Sequence, residues 1–418
     1  MPLNEADTRA KLIDPALHSN GWTEDSIRRE VTAGAIEIVG GVPRQRATGR
    51  ADFTLRIRLS PSSQPVAVAV LEAKAEDYPA GHGLQQAKAY ASSKRLNVPF
   101  VYSSNGHQFV EFDSFTRLTH APRPMSEFPT PDALRVRYEQ GKGFKLDSDL
   151  AKPLLVPYAR GEGQRRYYQD AAIRAVLEKV AAGQNRALLS LATGSGKTFI
   201  AVNLLKRIAD AGLLRRALFV CDRDELRSQA LAAFREEFGS DAAAASSGSP
   251  EKNARVVIGT YQTLGVDKDE SDSSFLKTHY PENYFSHIII DECHRSAWGK
   301  WSEVLTRNPD AVQIGLTATP REFEYTENSS ASLEDKKITA DNMKYFGEPV
   351  YEYSIGQGIE DGFLAAMEII RNDIFINRQV NAEAVTGVDK SDLKGKTLLD
   401  VLTGEEVTID EAAEEYTA

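Results

Sequence analysis

Two cysteines among 418 residues, Cys221 and Cys293, are too few for a disulfide framework and cannot build a zinc site alone, which agrees with a reducing compartment. No apolar run approaches the ~18 residues of a membrane span. Met1 to Asn20 is too polar for a signal peptide, so the sequence predicts a cytoplasmic protein with no membrane partner. Internal repeats are absent as well. The chain also lacks the positive net charge of a typical nucleic-acid binder: the total is −10. Its distribution weakens that objection. From Val380 to Ala418 ten acids face three bases, which accounts for −7 of the −10. Elsewhere Arg44, Arg46, Arg50, Arg56 and Arg58 crowd together as a candidate phosphate-contacting strip. A solvated polar face explains that cluster equally well. Apolar content of 41% and charged content of 26% are ordinary, and the length suffices for two or three domains.

The remainder is organised around Ala187 to Thr198, an apolar run that breaks into a Gly-rich loop and ends in Lys-Thr. Gly194 and Gly196 let the backbone turn its N–H groups toward an anion, and the helix that follows adds its positive N-terminus. Lys197 supplies a full charge and Thr198 a hydroxyl for Mg²⁺, within a candidate cradle Thr193-Gly194-Ser195-Gly196-Lys197-Thr198. The strict pattern asks for Gly where Leu191 stands, and a Gly-rich strand-to-helix turn without a ligand would look alike.

The first block runs from Met1 to about Pro122. Glu5 to Leu17 reads as a helix ended by Asn20-Gly21. Asp52 to Leu59 and Val66 to Lys74 read as two strands of a hairpin about the turn Ser60–Pro65. Alternation puts Val66, Val68, Val70, Glu72 and Lys74 on one face, which changes from apolar to Glu-x-Lys at its end. The hairpin would set Asp52 beside Glu72. Two carboxylates can hold Mg²⁺ while Lys74 steadies an attacking water or a scissile phosphate; a surface Glu-Lys pair beyond the strand end accounts for the same residues. On the helix expected from Leu84 to Arg95, Gln86 and Tyr90 lie four apart and project from one face. Phe100–Ser103 and Gln108–Phe112 read as a hairpin completing the sheet.

Asp52, Glu72-x-Lys74 and Gln86-x-x-x-Tyr90 together resemble the PD-(D/E)xK nuclease fold, in its version from type I restriction endonuclease subunits. The resemblance implies that Asp52, Glu72, Lys74, Gln86 and Tyr90 are catalytic, with Asp52 and Glu72 as metal ligands. In that fold the first helix can add an acid, for which Glu5 is the candidate. Ala51 stands where the family usually has Pro.

Prolines at 122, 124, 129, 131, 153 and 157 predict an extended connection over 123–163, with a short helix at Asp132–Gln140. Beyond it, Tyr168-Gln169 precedes a helix over Asp170–Ala182. The Gln169 amide can read an adenine edge and the adjacent aromatic can stack on the base; a polar helix start explains the pair as well. Helix 198–211, strand 217–221, helix 225–238 and strands 256–259, 287–290 and 312–316 then alternate as a doubly wound parallel sheet requires. Asp291-Glu292-Cys293-His294 follows a strand at its carboxyl end, where Asp291 can hold Mg²⁺ and Glu292 can orient or deprotonate the water that attacks a γ-phosphate.

Tyr168-Gln169, Ala192 to Thr198, Asp222-Arg223, Gly259 to Thr263, Asp291 to His294 and Thr317-Ala318-Thr319 resemble, in order, the motifs of the first RecA-like lobe of superfamily 2 helicases. Such motors commonly read Ala-x-x-Gly-x-Gly-Lys-Thr, which accommodates Leu191. The expected fold is α/β: a PD-(D/E)xK nuclease-like domain (1–122), a linker (123–163), a RecA-like helicase lobe (164–366), and an acidic segment (367–418). That arrangement resembles the R (HsdR) subunit of type I restriction–modification enzymes. It implies ATP and Mg²⁺ as cofactors and double-stranded DNA as substrate. It further implies methylation and specificity subunits as partners, and a chain that stops before the second motor lobe with a correspondingly poor ATPase. A superfamily 2 repair or remodelling helicase with an inactive nuclease-like domain stays open as the alternative, as does a DNA clamp or scaffold.

Overall fold

The structure is a computed structural model that describes residues 1–32, 36–39, 42–45, 50–92, 94–158, 166–246, 248–264, 275–291, 293, 303–318, 343–365, 397–399 and 406–408. The chain divides into two units, Met1–Ala366 and Met367–Ala418. In the second, Thr397–Leu399 and Glu406–Thr408 pair antiparallel.

The first unit opens on α1 (Glu5–Thr8), capped by the Asn4 side chain, which accepts from Asp7 N. It passes through a π turn at Arg9–Ile13 into α2 (Asp14–Ser19). Ile13, Leu17 and Trp22 bury one face, and Gly21, with φ of 86°, closes the helix as its position after Asn20 suggests. Strands β1 (Ile27–Thr32), β2 (Ile36–Val39), β3 (Val42–Gln45), β4 (Arg50–Ile57) and β5 (Val66–Ala73) follow, then α3 (Leu84–Ala91). Next come β6 (Phe100–Ser104), β7 (Gln108–Asp113), β8 (Leu118–Thr119) and β9 (Arg123–Pro124). Their sheet has the order β1-β4-β5-β6-β7-β8, with β9 also on β7, while β2 and β3 form a separate hairpin. β5 lies at its centre because Val66, Val68 and Val70 fill one face while Ala69, Leu71 and Ala73 fill the other. It runs antiparallel to β4 and parallel to β6. A parallel neighbour demands a crossover connection, and that crossover is what carries α3 over the end of β5.

α3 stops at Ala91, short of the expected Arg95, because the chain extends at Ser92 (φ −53°, ψ 158°) and closes a turn in which Leu96 N donates to Tyr90 O. The connection expected to be extended is instead folded. β9 joins the first sheet, α4 (Pro131–Lys142) buries Leu134 and Tyr138, and α5 (Lys152–Leu155) buries Leu154. Thr130 caps α4, Pro131 occupies its first turn and Gly143 (φ 76°) ends it, so the short helix expected over Asp132–Gln140 is present.

The second sheet is wholly parallel. After α6 (Tyr167–Ala181) come β10 (Arg186–Leu191), α7 (Lys197–Asp210), β11 (Ala217–Cys221) and α8 (Asp224–Phe238). β12 (Ala242–Ala244), β13 (Val256–Thr260), α9 (Tyr261–Leu264), α10 (Phe275–His279), β14 (His287–Ile290), β15 (Val312–Thr317), β16 (Tyr351–Tyr353) and α11 (Ile355–Glu360) complete it. The strand order is β12-β13-β11-β14-β15-β10-β16, with every pairing parallel. Because all strands point one way, the loops after β10, β11, β13, β14 and β15 gather at one edge. The α/β class and the parallel sheet are as the sequence predicts. A single apolar core runs from Ile13 through the folded connector to Tyr353 and so is shared by both sheets; a second core lies on the other face of the parallel sheet. Among the described residues no helix is long and apolar enough to cross a membrane.

Candidate nuclease and nucleotide sites

The pairing of Phe53 with Leu71 places Asp52 opposite Glu72, at the edge where β4 enters and β5 leaves the sheet. Both are buried, at 8% and 2% exposure. Asp52 Oδ2 accepts from Ala73 N at 2.8 Å and Oδ1 from Arg9 Nη1 at 2.9 Å. Lys74 Nζ donates to Glu72 Oε1 (2.8 Å) and to Gln86 Oε1 (3.2 Å), and Gln86 Nε2 donates to the Tyr90 hydroxyl (3.2 Å). Glu5 Oε2 stands 3.6 Å from Lys74 Nζ. The five residues expected to act together are thus brought together, with Glu5 at their rim.

The electrostatics describe a site short of positive charge. Burial raises the Asp52 carboxyl, opposed by the hydrogen bond that Ala73 N–H donates to it. Burial, and then the Asp52 charge, push Glu72 up to about 7 despite Lys74. For Lys74 burial works against the ammonium, yet the bond to Glu72 together with the charges of Glu72, Glu5 and Asp52 outweighs it and raises the group. Glu72 Oε2 is buried with no hydrogen-bond partner. An orphaned carboxylate oxygen beside a second buried carboxylate is a donor set that a divalent cation would satisfy. Among the described residues no group of three or more His, Cys, Asp or Glu could hold a metal ion; here there are two acids and backbone.

Two neighbours are not evident from the motif. A Cβ on Gly83 would come within 2.8 Å of Glu72 Cγ and of Lys74 Cε, so only glycine lets α3 close over the pair, with its N–H bonded to Ser103 Oγ at 3.0 Å. Arg9 is the other; its spacing of four from Glu5 on one helix was the available signal. Of the arginine strip, Arg56 donates to Asp25 O and Arg58 to Asp25 Oδ2 and Pro61 O; the side chains of Arg44, Arg46 and Arg50 lie outside the described residues.

At the parallel sheet, β10 leads into the loop before α7, where Gly194 (φ 80°) and Gly196 (φ 87°) take the left-handed conformations that free the loop from Cβ atoms. Thr193 and Gly194 are exposed, Lys197 and Thr198 half-buried, and Ser195 fully buried with an unpartnered Oγ. The Ser195 carbonyl accepts from the Tyr168 hydroxyl (2.6 Å) and Gln169 Nε2 (3.3 Å). Tyr168, expected to stack on a base, is instead fully buried and stacked on Tyr353, with centroids 3.8 Å apart and planes 11° from parallel. Gln169 spends its other amide atom on Arg166 N, so both residues brace the loop from behind. Burying an aromatic ring at the start of α6 overrides its local availability. Asp291 ends β14, buried, with its N–H on Val220 O at 2.8 Å. Glu292, His294 and Thr319 lie outside the described residues.

One ion pair links the turn after α3 to the end of α11. Asp361, after α11, accepts from the Tyr167 hydroxyl (2.5 Å) and the Tyr353 hydroxyl (2.8 Å) through Oδ2, and from Arg95, in the turn after α3, through Oδ1.

The family model described as "Type III restriction enzyme, res subunit" matches residues 162–322, the region of the parallel sheet. The EcoAI type I restriction enzyme endonuclease subunit of Escherichia coli is 33% identical over 90% of this chain and 45% of its own length. The EcoKI endonuclease subunit of Escherichia coli strain K12 is 24% identical over 87% of this chain and 35% of its own. Among solved structures, a fragment assigned as an HsdR subunit of a type I restriction enzyme from Vibrio vulnificus YJ016 superimposes with a TM-score of 0.66 at 33% identity, over 87% of this chain and 62% of that one. The chain spans less than half the length of the two curated relatives. Over 90% of its length the chain is similar to the EcoAI endonuclease subunit of a type I restriction enzyme, and over 87% to the HsdR fragment.

Proposed function

We propose that the chain carries the DNA-cleaving centre and the first lobe of the ATP-driven DNA translocase of a type I restriction–modification enzyme. In this reading residues 1–122 form the nuclease, 123–163 the connector and 164–366 the motor lobe, acting on double-stranded DNA beside methylation and specificity subunits. The observation that supports it best is the register that sets Asp52 against Glu72, whose Oε1 holds Lys74 and whose Oε2 is orphaned, in the same polypeptide as a glycine-turned phosphate loop.

Asp52 and Glu72 fit a divalent ion, which when bound would supply the Lewis-acid charge that phosphodiester hydrolysis calls for. Lys74, fixed by Glu72 and Gln86, keeps one ammonium N–H beyond those two bonds and can orient an attacking water or a phosphate oxygen. Tyr90 fixes Gln86 in turn. In the motor lobe the backbone N–H groups of Thr193 to Lys197 would cradle the phosphates of ATP, and Lys197 would neutralise them. Thr198 and Asp291 fit the accompanying Mg²⁺, and Glu292 would act as base toward the hydrolytic water.

The test is cleavage of double-stranded DNA by the full chain with and without Mg²⁺, beside binding of a non-hydrolysable ATP analogue. Asp52→Ala, Glu72→Ala and Lys74→Ala are each expected to abolish cleavage and leave analogue binding intact, and Lys197→Ala to do the reverse. Analogue binding with no cleavage under any metal would favour the repair or remodelling helicase with an inactive nuclease-like domain.

A further inference from the structure

Each carboxylate oxygen of Asp52 already accepts one hydrogen bond: Oδ2 from Ala73 N and Oδ1 from Arg9. Arg9 lies four residues beyond Glu5, at the start of the π turn, so one helix face brings an acid to Lys74 and a guanidinium to Asp52. β1 pairs Arg29 with Phe53 and Val31 with Ala51, which leaves Glu30 across from Asp52, its backbone in the left-handed region (φ 55°) that a glutamate adopts only under strain. Arg9 Nη1 is 3.7 Å from Glu30 Oε1 and so has a second carboxylate within reach. The two cations of the site differ in freedom. The Lys74 side chain is 13% exposed and bound at two points, whereas that of Arg9 is 27% exposed and reaches the site from one helix.

We propose that Arg9 is the positioning residue of Asp52, a built-in cation that holds Oδ1 and yields it to the divalent ion, passing to Glu30 as it does so. The inference rests on the reading of Asp52 and Glu72 as a metal pair. Arg9 and a divalent ion would compete for the same Oδ1, and of the site's two cationic side chains Arg9 is the less buried and already has Glu30 within reach, so it is the one that moves. Arg9 thereby keeps Asp52 oriented while raising the metal concentration at which the site fills.

The test is Mn²⁺ titration of the full chain, without nucleotide, by electron paramagnetic resonance. Arg9→Gln and Arg9→Met, the latter keeping the packed stem, are each expected to bind Mn²⁺ about fivefold more tightly than wild type. The Mg²⁺ concentration for half-maximal cleavage should fall in parallel, and the maximal rate should fall as well. Unchanged or weaker Mn²⁺ affinity in the folded variants, as judged by their melting curves, overturns the proposal. Glu72→Gln separates the two layers: it should lose the Mn²⁺ site, and retention of wild-type binding there would remove the metal pair itself.

Discussion

Arg95 and Asp361 lie 266 residues apart in sequence and form an ion pair in which the aspartate side chain is fully buried. Through Asp361 the turn that follows the helix of Gln86 and Tyr90 meets the hydroxyl of Tyr353, whose ring stacks on the Tyr168 that supports Ser195. Arg95→Ala would strand that carboxylate with only two tyrosine hydroxyls. A loss of about 3 kcal/mol in denaturant unfolding is expected, and Asp361→Asn, which removes the charge instead, should cost less.

Gly83→Ala tests the closure of α3. With a Cβ 2.8 Å from both Glu72 Cγ and Lys74 Cε, the pair must shift. A displacement approaching 1 Å at a reacting centre costs about a hundredfold in rate. DNA cleavage should fall by that order, while ATP-analogue binding is unchanged.

Tyr168→Phe keeps the stack on Tyr353 and deletes the hydrogen bond to Ser195 O. The loss of about 1 kcal/mol of loop support predicts a several-fold weaker affinity for the ATP analogue, read by fluorescence titration. Tyr168→Leu removes the stack as well and should weaken binding further.

His287 gives the parallel sheet a defined acid limit. Burial lowers it from 6.5 to about 4. The unfolded chain therefore binds the proton first: the stability of the neutral form is fully present above about pH 6.5 and is lost as pH falls through about 4. The loss should approach about 3 kcal/mol in urea melts across that range, and His287→Gln should flatten the slope.

The parts of this architecture that were legible in the sequence are those written in local periodicity. Alternation in Val66–Lys74 and the turn before it were enough to bring Asp52 to Glu72, and Gly194 and Gly196 marked the loop by themselves. What escaped depends on distant partners. Tyr168 reads as an available ring until Tyr353 is seen to cover it, and Arg95 reads as a helix residue until Asp361 draws it into the turn. In the connector the short helix expected at Asp132–Gln140 is present as Pro131–Lys142, because a proline directly after Thr130 is where a helix begins, whereas its packing against both sheets depends on distant partners.

That connector has a practical meaning. Arg137 of α4 binds Glu111 and Asp113 of the first sheet, while its neighbour Tyr138 donates to Glu178 of α6 at 2.6 Å, so consecutive residues clasp opposite partners. Swapping this cutter onto a foreign engine by splicing near residue 122 would strip Glu111 and Asp113 of the Arg137 guanidinium. A chimera that hopes to stay soluble has to carry the clasp along, with its junction placed after residue 158.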